Sequence, residues 1–550
     1  MSIDVLLIED LSQQHLPART LAAVLQRAGW RVRLAHLHLE SGDGIPMPSP
    51  NDILALAQRE RPRLIIFSIL FADRVPETLA LVTALRQSGV SAHMTMVGPL
   101  PSFAANELLA ACPALDSVLC GEAEVSVAQL AARLGDPEQR QTVPGLVGCS
   151  STVRSDINVR ATAQRRINPA SPVDGASPCS PASSSPGASS NLDDLPFPLH
   201  DDLPEYAGYG FATIESSRGC YHACTFCLPC AFYRAAGAPY HLRSISNLVD
   251  EIEALHQRGT RLFLFDDEQF LPPGRAREER VEALGHELER RNLQIAFTIK
   301  CRADDVDAPL FRRLKAMGLL RVYVGVESGS QATLDLLGKR VAAQRNAEAL
   351  TTLDELGIVA DFRSLLFHPW STLESIQADI AFLQSVMPHV PTSFDFREVE
   401  VYPRTPLAAR LRTEGRGEGN PWPLPYTIAD PHAELLRRLN RIVFAEAYWK
   451  TCDTITELWF EFLLQRHFES ASLDLERARQ IRAKAMHINV EVLAVWDELL
   501  AFTRDGDLYD AEQVNARAAR WAARVHALTP TPSSAPGSPS GTSPGTPAPA

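Results

Sequence analysis

Over residues 1–150, short apolar runs alternate with segments in which apolar residues have helical spacing. Leu21, Val24 and Leu25 mark one face of a helix, and Pro76 suits the first turn of another. Strand and helix alternating five times predict a doubly wound parallel sheet. The predicted strands are Val5–Ile8, Val32–Leu37, Leu64–Leu70, His93–Val97 and Val118–Cys120.

Ligands of such sheets bind beyond the carboxyl ends of the strands. In the first 150 residues, the polar and glycine positions at those ends are Ser68, Gly98, Gly121 and Glu122. We therefore expect residues 1–150 to form a ligand-binding Rossmann-like domain with these four residues at its edge.

The same alternation returns over residues 205–415 with a longer period. Helical patterns such as Leu248–His256 and Leu310–Met317 separate six apolar runs. Six β/α units predict an open or partial barrel with its functional face at the carboxyl ends of the strands. The six predicted strands are Ala212–Glu215, Leu262–Phe265, Ile295–Ile299, Val322–Val326, Val359–Phe367 and Phe394–Val401.

The remaining segments differ in composition. Residues 416–528 contain helical spacing without a convincing strand, and they predict a small helical domain. Residues 170–191 hold 8 Ser, 4 Pro and 2 Gly, and residues 529–550 hold only Pro, Ser, Gly, Thr and Ala. We interpret 151–204 as a linker with a disordered insert and 529–550 as a disordered tail.

Charge and hydropathy narrow the class of protein. The chain has 53 basic and 66 acidic residues, and its net charge of −13 disfavours bulk nucleic acid as a partner. A tRNA or peptide substrate stays open. No apolar stretch reaches the roughly 18 residues that a membrane helix needs, and the first residues read as a strand rather than a signal peptide. We expect a cytoplasmic protein without a membrane partner.

Four of the ten cysteines lie close together in a chain too poor in cysteine for a disulfide scaffold. Cys220, Cys224 and Cys227 have the spacing C-x3-C-x2-C, and Cys230 follows. Three thiolates on one loop suit three irons of a [4Fe–4S] cluster and leave the fourth iron open to an external ligand. The alternative is a zinc knuckle with Cys230 or His222 as fourth ligand.

The cysteine loop resembles that of the radical S-adenosylmethionine (SAM) enzymes, including the aromatic Phe226 before its last cysteine. Further blocks agree with that family, with departures at His368, Trp370 and Arg404, where relatives have glycine. These blocks are Phe263–Phe270, Lys300–Asp304, Val324–Ser330 with Gly338-Lys339, Phe367–Glu374 and Val401–Leu407.

The resemblance implies a partial barrel that binds the cluster through Cys220, Cys224 and Cys227. It implies reductive cleavage of SAM to a 5′-deoxyadenosyl radical, with electrons from a reductase, flavodoxin or ferredoxin. The residues that we expect to contact SAM are Phe226, Asp266, Asp267, Arg302, Glu327 and Ser328.

Residues 1–150 resemble the cobalamin-binding domain that precedes one subclass of these enzymes. Val97-Gly98-Pro99 and Cys120-Gly121-Glu122-Ala123-Glu124 are similar to its two characteristic blocks. No D-x-H-x-x-G motif places a histidine on cobalt, and His15 lacks the flanking residues. We expect cobalamin to bind without a protein imidazole, at Ser68, Gly98, Gly121 and Glu122; the alternative is a domain that has lost the cofactor.

Four residues are candidates for the substrate pocket: Cys230, His368, Trp370 and Tyr402. Cys230 also fits a spare buried thiol, and the two aromatic residues fit a core. The resemblance favours cobalamin-dependent methyl transfer to an unactivated carbon, or a phosphinate, of a small molecule. The alternatives are radical dehydration, cyclisation or rearrangement without methyl transfer, and a non-catalytic metal-knuckle protein.

Overall fold

The computed structural model of the chain describes residues 3–9, 16–36, 49–70, 72–148, 191–201, 203–387, 390, 395–417, 419, 422–444, 446–469, 475–505 and 511–528. His15, nearly all of the predicted Ser/Pro insert and the predicted tail lie outside these residues. Among the described residues, no helix is both long and apolar enough to cross a membrane.

The first sheet has the order β2-β1-β3-β4-β5-β6, and its first five strands are parallel. The strands are β1 Val5–Glu9, β2 Val32–His36, β3 Leu64–Ser68, β4 His93–Val97, β5 Ser117–Leu119 and β6 Leu146–Gly148. The predicted doubly wound sheet is confirmed. The antiparallel edge strand β6 was not predicted, because its three residues give too short a pattern.

Helices cover both faces of this sheet. Alternate residues of β1 enter different apolar cores: Leu6 and Ile8 face one, and Val5 and Leu7 face the other. Strands buried on both faces read as continuous apolar runs, which is why the sequence revealed them. The helices are α1 Leu16–Arg27, α2 Pro50–Glu60, α3 Val75–Gln87, α4 Pro99–Phe103, α5 Ala105–Ala111, α6 Glu124–Ala132 and α7 Pro137–Gln141.

The second sheet has the order β14-β13-β12-β11-β8-β7, and its first five strands in this order are parallel. Its strands are β7 Glu205–Tyr206, β8 Tyr209–Ile214, β11 Thr260–Phe265, β12 Ala296–Arg302, β13 Leu319–Gly325 and β14 Val359–Asp361. A two-stranded sheet of β15 Arg363–Phe367 and β16 Asp395–Glu398 extends it through a single bridge from Glu327 to Ser364. The partial barrel is confirmed, but the predicted strand 359–367 is divided at Phe362.

β9 Ser217–Gly219 and β10 Tyr240–Leu242 form a two-stranded antiparallel sheet, and the cysteine loop lies in the segment between these two strands. The barrel helices are α8 Leu228–Ala235, α9 Ile245–Gln257, α10 Ala276–Arg290, α11 Ala308–Ala316, α12 Gln331–Leu336, α13 Ala343–Glu355, α14 Leu373–Val386 and α15 Pro406–Thr413. The helical end of the chain consists of α16 Pro431–Val443, α17 Glu446–Phe468, α18 Leu475–Asp505 and α19 Ala511–His526.

Helix α17 packs against the face of the barrel sheet that points away from the surrounding helices. Phe263 and Phe265 face the core shared with α9 to α11, whereas their neighbours Leu262 and Leu264 face α17. On that side they meet Phe460 and other apolar residues of α17. Helix α17 therefore forms a floor inside the concave side of the barrel.

Candidate active site

The cysteine loop begins just beyond β8, where a buried carboxylate holds the chain. Asp267 accepts hydrogen bonds from the backbone N–H groups of Ser216 (2.7 Å) and Ser217 (3.0 Å) and from the Ser216 hydroxyl. Burial raises the pKa of Asp267 to about 6 despite these bonds. The structure places Asp267 beneath the start of the loop, and its predicted contact with SAM stays a prediction.

The four cysteines of the loop meet at the start of α8. Cys227 is the residue that caps this helix, and Cys230 is buried in its first turn. The Cys230 thiol hydrogen-bonds with Cys220, Cys224 and Cys227, and these contacts together with burial raise its pKa far above the ordinary value. The same contacts lower the pKa of Cys220 and bring that of Cys224 to about 6. The loop thus favours thiolates at Cys220 and Cys224 and a protonated thiol at Cys230.

Within the described part of the chain, no group of three or more His, Cys, Asp or Glu side chains is placed to hold a single metal ion. A four-iron cluster takes one thiolate per iron and does not need thiols that converge on one ion. The donor set of three cysteines on one loop therefore fits a cluster better than a mononuclear zinc site.

Two buried cations face the loop from the opposite side. The Arg302 guanidinium, at the end of β12, donates to the Cys224 sulfur at 3.7 Å and to Asp304 at 2.9 Å. It also donates to the backbone oxygen of Lys339. After the hydrogen bond from Cys230, the charges of Lys339 and Arg302 also lower the pKa of Cys224. Cations next to the thiolates offset part of the negative charge that a cluster brings.

Glu327 lies beyond β13 with a positive φ of 59°. One carboxylate oxygen pairs with the Lys339 ammonium at 3.0 Å, and the other is buried with no hydrogen-bond partner among the described residues. A Cβ on Gly325 would lie 2.9 Å from the Lys339 nitrogen and 3.1 Å from Glu327, so glycine leaves room for this pair. An orphaned buried carboxylate oxygen is an acceptor for a donor that a ligand brings, as the prediction of a SAM contact at Glu327 requires.

The turn after Glu327 is held from α14. Asp379 accepts hydrogen bonds from the Ser328 hydroxyl (2.6 Å) and from the N–H groups of Gly329 (2.6 Å) and Ser330 (3.1 Å). Ser328, a predicted SAM contact, is therefore buried and engaged by protein. Phe226, another predicted contact, packs at the edge of an apolar cluster that includes Leu337.

The acidic end of β11 presents one residue that the sequence argument overlooked. Asp266 pairs with Lys300 at 2.5 Å across the two strand ends, and both remain partly exposed. The overlooked residue is Glu268, two positions after Asp266. Its carboxylate accepts a hydrogen bond from the N–H of Gly219 at 2.9 Å, and burial raises the pKa of Glu268 to about 7. The sequence could have indicated Glu268 as a site residue, because it directly follows Asp266 and Asp267 at the end of a strand.

The predicted cobalamin residues lie at one edge of the first sheet. Ser68 ends β3 in register with Val97 of β4, and Gly98 follows at once. Gly98 has a φ of 121°, and a Cβ there would lie 2.6 Å from the Ile69 oxygen. Gly121 has no atom within 4 Å of the position a Cβ would take, so the edge is open there. Small residues and open space along one edge fit a large planar ligand.

Glu122 sits at this edge too, but its carboxylate points to the barrel. It pairs with Arg218 at 2.8 Å, and its side chain is only 4% exposed. Burial raises the pKa of Glu122. The predicted contact with cobalamin stays a prediction, and the structure adds a partner that sequence did not indicate, from a residue 96 positions away.

The two edges are joined by a pair of short helices. Gly98 caps α4 and Cys227 caps α8, and these helices pack against each other. Phe103 and Phe232 meet edge to face with ring centroids 6.2 Å apart. Arg404 also donates to the Phe103 oxygen at 3.0 Å. The departure from glycine at Arg404 thus contributes a contact between the first sheet and the barrel.

The predicted pocket residues lie in different surroundings. Tyr402 belongs to the apolar cluster between the first sheet and α8, and its hydroxyl donates to Glu400. Trp370 packs at another cluster, with its indole N–H on Glu414 and the Arg410 guanidinium over its ring. His368 is buried beneath Trp370, and burial lowers its pKa to about 4. Their assignment with Cys230 to one substrate pocket stays a prediction.

Comparison with known proteins agrees with both halves of the site. Residues 11–131 match the family model "B12 binding domain", and residues 214–381 match "Radical SAM superfamily". An uncharacterized methyltransferase of Pyrococcus horikoshii is 24% identical over 53% of this chain and 58% of its own length. Hopanoid C-3 methylase of Methylococcus capsulatus is 26% identical over 66% of this chain and 62% of its own length. The matches thus span about three fifths of these relatives.

One similar solved structure is that of the cobalamin-dependent S-adenosylmethionine radical enzyme OxsB with aqua-cobalamin and SAM bound. It superposes with a TM-score of 0.62 and 16% identity, over 96% of this chain and 84% of the other. A Radical SAM domain takes a [4Fe–4S] cluster and SAM, and a B12-binding domain takes cobalamin. The donor set, the orphaned oxygen of Glu327 and the open edge at Gly121 fit these groups.

Proposed function

We propose that this chain transfers a methyl group to an unactivated carbon, or a phosphinate, of a small molecule. It carries a radical SAM domain and an N-terminal B12-binding domain, as the matches at residues 214–381 and 11–131 indicate. The observation that carries the proposal is the packing of α4 on α8. Gly98 and Cys227 cap these helices, which supports two cofactor sites that open toward one interface. When bound, the cluster supplies the electron that cleaves SAM, and cobalamin carries the methyl group.

The residues of this chain have distinct tasks in the proposal. Cys220, Cys224 and Cys227 hold the cluster, and Arg302 and Lys339 compensate its charge. Glu327 accepts a hydrogen bond from SAM with its free oxygen, and Glu268 accepts another beside the loop. Ser68, Gly98 and Gly121 line the cobalamin edge. Residues 1–150, 205–415 and 416–528 are the domains in this proposal, joined by the linker 151–204 and followed by the tail 529–550.

The floor formed by α17 is an argument for a small substrate, because it fills part of the concave side of the barrel. Arg321 at the concave face is buried, and it binds Glu457 of α17 at 2.7 Å and Asp361 at 2.5 Å. We infer that a substrate binds above this layer, between it and the cysteine loop. We propose a small-molecule substrate, and a flavodoxin, a ferredoxin or a reductase as electron donor in the cytoplasm.

The test uses full-length protein with a reconstituted cluster, bound cobalamin, a strong one-electron reductant, a mixture of small metabolites as methyl acceptors and SAM carrying a deuterated methyl group. Methyl transfer yields both S-adenosylhomocysteine and 5′-deoxyadenosine, and the label enters the product. Cys224→Ala serves as the matched variant, because it leaves the cobalamin edge intact while removing a cluster ligand. We expect it to retain cobalamin and to form no 5′-deoxyadenosine.

Formation of 5′-deoxyadenosine without S-adenosylhomocysteine would contradict methyl transfer. That result would favour radical dehydration, cyclisation or rearrangement by the same site. Absence of iron and sulfide after reconstitution would contradict both and favour a protein with a metal knuckle only.

A further inference from the structure

A buried arginine joins the two candidate cofactor sites. Arg218 lies in β9, two residues before Cys220. Its guanidinium donates to Glu122 at 2.8 Å and Glu124 at 2.7 Å, both from the segment that follows β5 of the first sheet. It also donates to both oxygens of Glu215, at 3.0 and 2.9 Å. One guanidinium therefore binds three carboxylates from two domains.

The guanidinium and the two carboxylates from the first sheet are almost entirely removed from water, whereas the Glu215 side chain is 24% exposed. The side chains of Arg218, Glu122 and Glu124 are 7%, 4% and 9% exposed. A planar guanidinium in a dry site constrains direction as well as distance, because its N–H groups form a rigid fork. The fork of Nε and Nη2 holds both oxygens of Glu215, which orients the guanidinium, and its remaining nitrogen, Nη1, donates to both Glu122 and Glu124.

The contact continues on both sides as a chain of hydrogen bonds. Toward cobalamin, the N–H of Gly121 donates to the Ser102 hydroxyl at 3.0 Å, and that hydroxyl donates to the Gly98 oxygen at 2.7 Å. Toward the cluster, Gly219 links Arg218 to Cys220, and its N–H binds Glu268. Gly98 and Cys220 are thus connected by successive bonded groups, a physical route for positional coupling.

Stability alone does not explain this arrangement. Three carboxylates face one guanidinium, and one oxygen of Glu122 and Nε2 of the nearby His241 are buried without a hydrogen-bond partner among the described residues. Apolar packing of Phe103 on Phe232 already joins the domains at lower desolvation cost. Buried ionic groups that are costly for stability serve in some proteins to specify one geometry.

We propose that Arg218 is a positioning residue that fixes the separation and orientation of the cobalamin edge relative to the cysteine loop. The proposal rests on the proposed function, since a fixed separation matters when both cofactors act on one substrate. A displacement of about 1 Å between reacting groups lowers rates by as much as about 100-fold. Arg218 would therefore act through position and not by contact with SAM or substrate.

The experiment compares full-length wild type with Arg218→Gln and Arg218→Lys, each loaded with cluster and cobalamin. The control is Arg290→Gln, because Arg290 is exposed and its ion-pair partner among the described residues is Glu287 of its own helix. Electron paramagnetic resonance measures the magnetic interaction between the reduced cluster and the Co(II) form of cobalamin, which falls with the inverse cube of their distance. Iron and cobalamin per chain are measured on the same samples.

A second measurement needs neither cofactor. Hydrogen exchange of backbone amides in residues 119–125 and 217–221 reports whether contact between the two segments protects each of them from local opening. We expect Arg218→Gln to keep both cofactors, to lose about half or more of the magnetic interaction, and to exchange about tenfold faster in both segments. Arg218→Lys should show a magnetic interaction and exchange rates between those of wild type and Arg218→Gln, since lysine keeps the positive charge and lacks the planar fork of N–H groups. Arg290→Gln should match wild type.

An unchanged interaction and unchanged exchange in Arg218→Gln would overturn the proposal. Loss of iron or cobalamin from that variant would also overturn it, because Arg218 would then serve folding or cofactor retention. A wild-type protein that binds cobalamin but forms no S-adenosylhomocysteine would contradict methyl transfer alone. In that case the magnetic and exchange measurements would still decide whether Arg218 positions the two edges.

Discussion

The carboxylate of Glu268 accepts a hydrogen bond at 2.9 Å from the backbone N–H of Gly219, the residue that precedes the first cysteine of the loop. Burial raises the pKa of Glu268 to about 7, so the free protein holds a proton there below neutral pH. A ligand ammonium placed next to Glu268 would favour the carboxylate and expel that proton.

We therefore predict that SAM binding at pH 6.5 releases a proton and that Glu268→Gln abolishes the release. Isothermal titration in buffers of different ionisation enthalpy measures the proton directly. Glu287→Gln is the control, because Glu287 pairs with Arg290 on the outer helix α10. Equal proton release in wild type and Glu268→Gln would refute a role for Glu268 in SAM binding.

The same carboxyl group predicts a pH dependence of stability. Its pKa in the folded chain is above the ordinary value of 4.5, so its favourable contribution is complete below about pH 4.5 and is lost as pH rises through about 7. Wild type should lose about 2 kcal/mol relative to Glu268→Gln between pH 5 and pH 8. Urea denaturation of the two proteins at both pH values measures this difference, and parallel pH profiles would count against it.

The cysteines give a prediction about iron content. Alanine at Cys220, Cys224 or Cys227 should each prevent assembly of a stable cluster, whereas Cys230→Ala should keep it. The reason is that Cys220, Cys224 and Cys227 supply one thiolate to each of three irons, whereas Cys230 lies in the first turn of α8. Iron, sulfide and the visible absorption of reconstituted protein measure the outcome. Full loss of iron from Cys230→Ala would instead make Cys230 a ligand.

Two glycines at the cobalamin edge form a matched pair. Gly98→Ala places a Cβ 2.6 Å from a backbone oxygen, whereas Gly121→Ala meets no atom within 4 Å; both positions have positive φ. We predict a loss of about 2–4 kcal/mol in unfolding free energy for the first and about 1 kcal/mol for the second. Retained cobalamin after desalting should fall more for Gly98→Ala. Equal losses of unfolding free energy in the two variants would contradict the close contact between position 98 and the Ile69 oxygen.

Asp379 predicts a graded pair of variants. Asp379→Ala leaves the Ser328 hydroxyl and two backbone N–H groups without their acceptor, which costs about 2–4 kcal/mol. Asp379→Asn keeps an acceptor oxygen and should cost about 1 kcal/mol. Urea denaturation gives the stabilities, and equilibrium dialysis gives the affinity for SAM, which should fall in the same order. Reversal of that order would show that the turn does not depend on the acceptor.

Much of the fold could be predicted because its parallel strands are buried on both faces. Leu64 to Phe67 are all buried, and such runs stand out against amphipathic helices. The division of the barrel strand at Phe362 could not be predicted, since an apolar residue continues the run while the pairing partner changes. Strands of two or three residues, such as β7, β9 and β10, carry too little pattern to detect.

The site was predictable where chemistry is local and not where it depends on distant partners. The spacing of Cys220, Cys224 and Cys227 is readable within eight residues. Two of the three carboxylate partners of Arg218, Glu122 and Glu124, are about 95 residues earlier, and no local pattern connects them to it. For the same reason the sequence indicated Glu122 only as a residue at the edge of the first sheet, whereas its carboxylate binds Arg218 of β9.

The floor made by α17 has a consequence for biosynthesis. Phe211, Leu262 and Ala296 line the concave face, yet the helix that covers them ends only at Phe468. During translation, about 170 further residues must be added after Ala296 before that cover exists. A nascent barrel therefore presents an apolar interior to the cell, and a chain stopped before α17 would leave it exposed to chaperones and aggregation.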